Sequence, residues 1–139
     1  MINFFSETNF NLDSSQNFED WITKVISSES KNLGDINYIF CDDEYLHEIN
    51  LKYLQHDTLT DIITFDSVEG DIINADIFIS IDRVNDNAKD LNINFNEELK
   101  RVMIHGILHL CGFSDHSTEE KQIMREKENE KIKMFHVEQ

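Results

Sequence analysis

The sequence predicts an α+β protein with a single mixed sheet of about four strands packed against about five helices. Short runs rich in β-branched and aromatic residues, typical of strands, are interspersed with segments whose apolar residues recur at helical spacing. Strands and helices do not alternate strictly, so a regular β-α-β arrangement is not expected. The chain has 139 residues, no proline and no glycine-rich linker. We therefore expect residues 1–139 to form a single domain.

The first half of the chain predicts two strands and two helices. Weak alternation over 2–12 indicates an opening strand, and apolar residues at helical spacing over 18–25 indicate the first helix. The run over 36–41 predicts a second strand. Two aspartates follow it, and either can cap a helix over 44–54.

The second half predicts a strand pair and three helices. Runs rich in Ile, Thr and Phe over 61–66 and 75–81 indicate two paired strands, and a helix over 83–91 follows them. The next helix begins near Asn94 or Asn96, since either residue is a suitable N-cap.

The helix that follows Asn94 or Asn96 carries apolar residues almost all round, which predicts that it is buried. Gly112 ends it, because glycine is the usual residue just after the last helical turn. A charged terminal helix is predicted over 117–135.

The segment from His105 to His116 reads HGILHLCGFSDH. Two histidines four residues apart project from one face of a helix, so both imidazoles can reach one metal ion. Coordination would also recover the free energy that unpaired polar rings cost in a core. Gly112 allows a positive φ that returns the next residues over the face of His105 and His109. The pattern predicts one zinc ion per chain, with Asp115 or His116 as the third ligand.

Three protein ligands leave a fourth position for water, which is typical of a catalytic zinc. Whichever of Asp115 and His116 is not a ligand is the candidate for proton transfer. Cys111 points away from the ligand face two positions after His109, so we interpret Cys111 and Cys41 as structural thiols.

Three stretches of the sequence occur in the order of a known family's motifs. They read NLKYLQHDTLTDIITF over 50–65, ADIFIS over 75–80 and HGILHLCGF over 105–113. They resemble the motifs N-x-x-Y-R-x-x-D-x-x-T-D-V-L-S-F, G-D-I-x-I-s and H-G-x-L-H-L-x-G-[YF] of the YbeY family, bacterial metal-dependent endoribonucleases that mature ribosomal RNA. The resemblance covers essentially the whole chain and implies a zincin-like metal helix. It also implies a single-strand-specific, zinc-dependent endoribonuclease acting in small-subunit rRNA 3′ end maturation and ribosome quality control.

Two departures from the family pattern concern the site. Leu54 stands where the family has an arginine, and Lys52 and His56, four residues apart on the predicted helix, are candidate substitutes. The family's third histidine stands three residues after the glycine, where this chain has Asp115; ungapped spacing favours Asp115, and one inserted residue would favour His116. The candidate metal ligands are thus His105, His109 and Asp115, and the candidate catalytic residues are His105, His116, Lys52 and His56.

Charge limits the partners that we expect. The net charge is −16, and residues 1–116 hold 7 Lys and Arg against 22 Asp and Glu. An acidic segment of this kind should bind free nucleic acid weakly, so we expect no DNA partner. We expect that a basic ribosomal protein or an assembly GTPase recruits the chain to an rRNA precursor. No secretion signal or long apolar span is present, and two cysteines make no disulfide framework. We expect a cytoplasmic protein without a membrane partner.

Two other functions fit parts of the pattern. A zinc peptidase of the H-E-x-x-H type shares the histidine spacing, but Gly106 stands where such an enzyme carries its glutamate. A non-catalytic, ribosome-associated binding module, with zinc holding the helix to its loop, is compatible with the acidic surface. Chelation separates it from an enzyme, because a structural zinc is needed for folding.

Overall fold

The computed structural model describes residues 1–135 and contains one four-stranded mixed sheet. Its strands are β1 (Ile2–Ser6), β2 (Asn32–Cys41), β3 (Ile62–Asp66) and β4 (Ile72–Ser80). The strand order is β1-β2-β4-β3, in which β2 pairs in parallel with β1 and β4. β3 pairs antiparallel with β4 and forms an edge of the sheet.

Five α-helices accompany the sheet in the described part of the chain, and the predicted α+β class is confirmed. They are α1 (Ser15–Ser28), α2 (Asp43–Ile49), α3 (Ile81–Leu91), α4 (Phe95–Leu110) and α5 (Thr118–Ile132). None of the helices within residues 1–135 has the length and apolar character needed to cross a membrane.

The main core lies between one face of the sheet and helices α1 and α4. In β4 the alternate residues Ile73, Ala75, Ile77 and Ile79 face this core. Most of the central part of α4 is buried in it, which confirms the prediction for this helix; its buried side chains include Val102, Met103, Ile104, Ile107 and Leu108. The sequence of α4 therefore fixes it to the sheet, and its two histidines are carried at one end of the core.

Several predicted element boundaries differ from the structure; strands β2 and β4, for example, begin at Asn32 and Ile72 rather than at residues 36 and 75. The opening strand ends at Ser6 rather than at residue 12, and the last helix ends at Ile132. The predicted helix over 44–54 is wrong in its second part, because α2 ends at Ile49 and a π-helical turn (Asn50–Leu54) follows. The buried side chain of Asn50 stabilises this turn, because its Nδ2 donates to the carbonyl oxygen of Thr58 at 2.9 Å.

The π-helical turn separates two residues that the sequence predicted on one helix face. Gln55 has a φ of +57°, so the chain leaves the helical path before His56. The His56 amide donates to the carbonyl oxygen of Asn50 at 3.2 Å, closing the turn. Lys52 and His56 therefore do not share a helix face.

Candidate metal centre

Three side chains converge at the end of α4. His105 and His109 lie on successive turns, with their Nε2 atoms 2.9 Å apart. Oδ2 of Asp115 lies 3.3 Å from Nε2 of His105 and 3.6 Å from Nε2 of His109. These three residues form a group whose ligand atoms all lie within 4.8 Å of one another.

Hydrogen bonds at the other ring nitrogens determine which histidine nitrogens face this group. Nδ1 of His109 lies 2.9 Å from the carbonyl oxygen of Phe113, and Nδ1 of His105 lies 2.7 Å from Oε2 of Glu128. A carbonyl oxygen and a carboxylate only accept hydrogen bonds, so both Nδ1 atoms carry the hydrogen. Two neutral rings in this tautomer would direct their Nε2 lone pairs at each other, and a cation between them, a proton or a metal ion, removes that repulsion.

The chain turns back over the histidines immediately after α4. The Gly112 amide donates to the carbonyl oxygen of His109 and the Phe113 amide to that of Leu108, both at 3.0 Å, which is a Schellman motif. Gly112 has a φ of +107°, so the predicted positive φ at this position is confirmed. The same turn places the Phe113 carbonyl oxygen against His109.

Helix α5 holds the loop that carries Asp115. Ser117 and Glu120 form a capping box, in which the Ser117 side chain accepts from the Glu120 amide and the Glu120 carboxylate accepts from the Ser117 amide. The Glu120 carboxylate also accepts a hydrogen bond from the Ser114 hydroxyl. The loop between α4 and α5 is therefore anchored on both sides of Asp115.

Two cavities meet at His105. One, of about 510 Å³, contains the three converging side chains and is bordered by Thr60 and by Thr64 and Asp66 of strand β3. The other, of about 450 Å³, lies between α3, α4 and α5. Asp61 and His105 line both cavities.

Acidic groups around His105 change its protonation. Burial lowers the pKa of His105, but the hydrogen bond to Glu128 and the charges of Glu128, Asp115 and Asp61 outweigh it, so the pKa lies above its ordinary value. Burial also raises the pKa of Asp61, against the lowering effect of His105. The site is therefore an electronegative cavity that favours a cation.

The three ligand atoms lie near the separations expected around one ion, with the two histidine nitrogens closer together than those separations. Bonds of about 2.0–2.2 Å at tetrahedral angles place ligand atoms about 3.3–3.5 Å apart. The observed separations of 2.9, 3.3 and 3.6 Å bracket these values. Two imidazole nitrogens and one carboxylate oxygen are also donors that zinc accepts, so His105, His109 and Asp115 could hold a metal ion.

The other predicted site residues lie elsewhere. His116 is exposed and lines neither cavity. Lys52 and His56 are also exposed and outside both cavities, with Nζ of Lys52 5.3 Å from the ring centroid of Tyr53. Both cysteines are free thiols, and burial raises the pKa of Cys41 to about 12 and that of Cys111 to about 11.

Sequence reasoning missed three residues beside the ligands: Asp61, Arg101 and Glu128. Asp61 matches the aspartate in the T-D-V-L-S-F part of the family motif, so the resemblance could have identified it. Glu128 shares a helix face with the apolar Met124, four residues earlier, which marks it as inward-facing. Nothing in the sequence singled out Arg101, whose Nη1 lies 3.1 Å from Oε1 of Glu128.

Fold and site together define a class: a small α+β domain in which a buried helix presents an H-x-x-x-H pair, with a carboxylate from the following loop, beside the edge of a mixed sheet. The model of the family Endoribonuclease YbeY matches residues 3–136. The chain belongs to this family.

Individual relatives agree along the whole chain. Endoribonuclease YbeY of Flavobacterium johnsoniae is 64% identical over 139 residues, which cover 100% of both chains. Endoribonuclease YbeY of Christiangramia forsetii is 59% identical over 138 residues, covering 99% of this chain and 96% of the relative. The solution structure of TM1509 from Thermotoga maritima matches with a TM-score of 0.69 at 27% identity, covering 97% of this chain and 89% of that one.

Proposed function

We propose that this protein is a single-strand-specific, zinc-dependent endoribonuclease that acts in ribosomal RNA processing, at small-subunit rRNA 3′ end maturation, and in ribosome quality control. Membership of the YbeY family supports an endoribonuclease role. The observation that carries the metal-dependent part is the convergence of the His105 and His109 Nε2 atoms with the Asp115 carboxylate.

His105, His109 and Asp115 would hold the zinc ion. When bound, zinc supplies a Lewis acid for a phosphoryl oxygen and lowers the pKa of a bound water toward about 7. The protein holds the ligands in place through Glu128 and the Phe113 carbonyl oxygen. The cavity of about 510 Å³ gives the scissile phosphodiester access to the ligands.

Proton transfer needs a further group, and two candidates differ in position. His116, the candidate from the sequence if Asp115 is the ligand, is exposed and outside the cavity. Asp61 lines the cavity together with the ligands, and its carboxylate accepts from the Asn87 amide at 3.3 Å. Because a proton-transfer group has to reach the reacting atoms directly or through one water, we favour Asp61.

The charge distribution supports delivery of the substrate by a partner. The cavity beside the ligands is bordered by the carboxylates of Asp61, Asp66 and Asp115, and the whole chain carries a net charge of −16. Free RNA should therefore bind weakly and lose affinity as salt rises. A basic ribosomal protein or an assembly GTPase at an rRNA precursor would supply the missing electrostatic attraction.

The two cysteines bear on the location of the protein. Cys41 and Cys111 are free thiols, which fits a cytoplasmic location.

The peptidase alternative has no support at Gly106. A Cβ atom at this position would lie 2.9 Å from Cδ1 of Ile62 and 3.5 Å from Oγ1 of Thr64 on β3. The helix face that carries the catalytic glutamate in H-E-x-x-H enzymes is therefore packed against the sheet here.

The test combines metal analysis with RNA cleavage. The purified protein should contain one zinc per chain and cleave single-stranded RNA while leaving a duplex of the same sequence intact. His105→Ala and His109→Ala should lose both zinc and cleavage, because two remaining ligands hold zinc poorly. Zinc content equal to wild type in both variants would contradict the assigned metal site. Cleavage at the wild-type rate by both variants would contradict the proposed zinc-dependent activity.

A further inference from the structure

Helix α5 buries two charged residues on the face that it turns toward the protein. Met124, Glu128 and Lys131 are 2%, 5% and 4% exposed and lie on one side of the helix. Buried charges are costly: replacing a whole buried ion pair by apolar residues of similar volume is often neutral or stabilising, whereas removing one partner is destabilising. The contacts of each buried charge indicate what it contributes.

Lys131 belongs to a structural cluster between α5 and α1. Its Nζ lies 2.7 Å from Oε2 of Glu29 and 2.9 Å from Oγ of Ser28. Its carbonyl oxygen accepts from the indole of the buried Trp21 at 2.7 Å. These contacts attach α5 to α1 and involve none of the candidate metal ligands.

Glu128 contacts different partners. Its Oε2 lies 2.7 Å from Nδ1 of His105, 23 residues away along the chain. Its Oε1 accepts from Nη1 of Arg101 at 3.1 Å, and Nη2 of Arg101 donates to Oδ1 of Asn129 at 3.0 Å. Each carboxylate oxygen therefore has its own partner, so the carboxylate cannot turn away from His105 without losing Arg101.

From this chain of contacts we propose that Glu128 and Arg101 are positioning residues of the metal centre. Glu128 fixes His105 in the tautomer that presents Nε2 to the ion, and Arg101 fixes Glu128. The inference rests on the proposed metal site. It adds two residues that strengthen the binding of the metal ion by the ligands. A carboxylate behind a ligating histidine both orients the ring and makes it a better donor.

The zinc dissociation constant, measured by competition with a chromophoric chelator, tests this role without reference to activity. Glu128→Gln keeps the shape of the side chain, but its amide cannot accept from both His105 and Arg101. We expect zinc binding to weaken by about 10- to 100-fold in Glu128→Gln, and by a smaller factor in Arg101→Met. Lys131→Met, on the same helix face, should lower the denaturation midpoint and leave the zinc dissociation constant within about twofold of wild type.

The outcomes separate this proposal from the metal site itself. Wild-type zinc affinity in Glu128→Gln, together with zinc loss in His105→Ala, would overturn the positioning role and leave the metal site standing. Zinc retained by His105→Ala would instead overturn the metal site. Equal weakening in Lys131→Met and Glu128→Gln would also overturn the positioning role, because displacement of α5 would then explain both.

A spectroscopic measurement on the wild-type protein decides the matter if Glu128→Gln does not fold. A long-range ¹H–¹⁵N spectrum of the zinc-loaded protein should show His105 bound through Nε2, with an Nδ1 proton protected from exchange by its hydrogen bond. Coordination through Nδ1, or an Nδ1 proton that exchanges as fast as in a solvent-exposed ring, would overturn the proposal.

Discussion

Oδ2 of Asp115 lies 3.3 Å from Nε2 of His105, whereas the next residue, His116, is exposed outside the cavity. The loop therefore has the register that brings the carboxylate, rather than the imidazole, to the histidine pair. We predict that Asp115→Ala loses bound zinc, because only two ligands remain, and that His116→Ala keeps one zinc per chain. Metal analysis of both purified variants checks this. Full zinc in Asp115→Ala with loss in His116→Ala would reverse the assignment.

The second prediction concerns Asp61. If its carboxylate transfers the proton, Asp61→Asn should retain zinc and lose about 10²- to 10⁴-fold in the rate of RNA cleavage. Asp66→Asn removes another carboxylate from the border of the same cavity and is the matched control, expected to change the rate far less. Single-turnover cleavage of a short single-stranded RNA measures both. A rate loss confined to His116→Ala would contradict the choice of Asp61.

Chelation distinguishes a catalytic metal from a structural one. His105, His109 and Asp115 are all partly exposed, whereas the core between the sheet, α1 and α4 is built from buried apolar side chains that hold the fold together. We predict that removal of zinc leaves the far-ultraviolet circular dichroism spectrum unchanged at 25 °C and only lowers the melting temperature, because a ligand that binds the folded state stabilises it. Unfolding on chelation would favour the zinc-stabilised binding module.

Gly106 offers a test of packing between α4 and β3. Gly106→Ala gains about 1 kcal/mol of helix propensity and places its Cβ atom against the mobile end of the Ile62 side chain, so the net change in unfolding free energy should stay within about 1 kcal/mol. Gly106→Glu adds a larger, charged side chain at the same contact with Ile62 and Thr64 and should lose about 1–3 kcal/mol. Urea denaturation measures both changes. We expect no peptidase activity in Gly106→Glu, and a variant as stable as wild type would show that β3 does not fill this space.

Acid should weaken the attachment of α5 to α1 at Glu29. Burial raises the pKa of Glu29, but hydrogen bonds and charges from Lys131 and Lys127 outweigh it and hold the pKa below its ordinary 4.5. A lowered folded-state pKa means that the carboxylate stabilises the fold above pH 4.5 and that this stabilisation is lost as pH falls through the folded-state pKa.

Glu29→Gln should therefore lower the unfolding free energy by about 1–3 kcal/mol at pH 7, and by much less at an acid pH below the folded-state pKa of Glu29. Denaturant titrations at the two pH values measure the difference. Glu126→Gln, exposed on α5, is the control that should show little effect at either pH. An equal loss at both pH values would mean that packing, rather than the ion pair, accounts for the effect of Glu29→Gln.

Local pattern was enough to predict α4, because apolar periodicity, the Asn94 cap and Gly112 all act within a few residues of the helix. The same holds for the fold class and for the histidine pair. The π-helical turn could not be predicted, since it depends on hydrogen bonds from Asn50 across the turn to Thr58. The prediction of a continuous helix over 44–54 therefore placed Lys52 and His56 on one helix face, which they do not share in the structure.

The contacts around His105 depend on packing between distant segments. Glu128 and Arg101 meet because α5 packs on α4, and α5 is also attached to Trp21 of α1 and to Glu29, the residue that follows α1. No spacing rule within the sequence relates position 128 to position 105. Ungapped spacing against the family motif favoured Asp115 over His116, and the structure brings the Asp115 carboxylate to the histidine pair.

The two histidines differ in how their orientation can be altered by mutation. The acceptor for Nδ1 of His109 is a main-chain oxygen at Phe113, which every amino acid at that position would also provide. Orientation of His109 therefore tolerates any substitution at 113 that preserves the turn, but no insertion or deletion between 109 and 113. For His105 the acceptor is the Glu128 side chain, so there the identity of one residue matters instead. Among variants of this chain that keep the site, we expect no insertion or deletion near His109 and no substitution of Glu128.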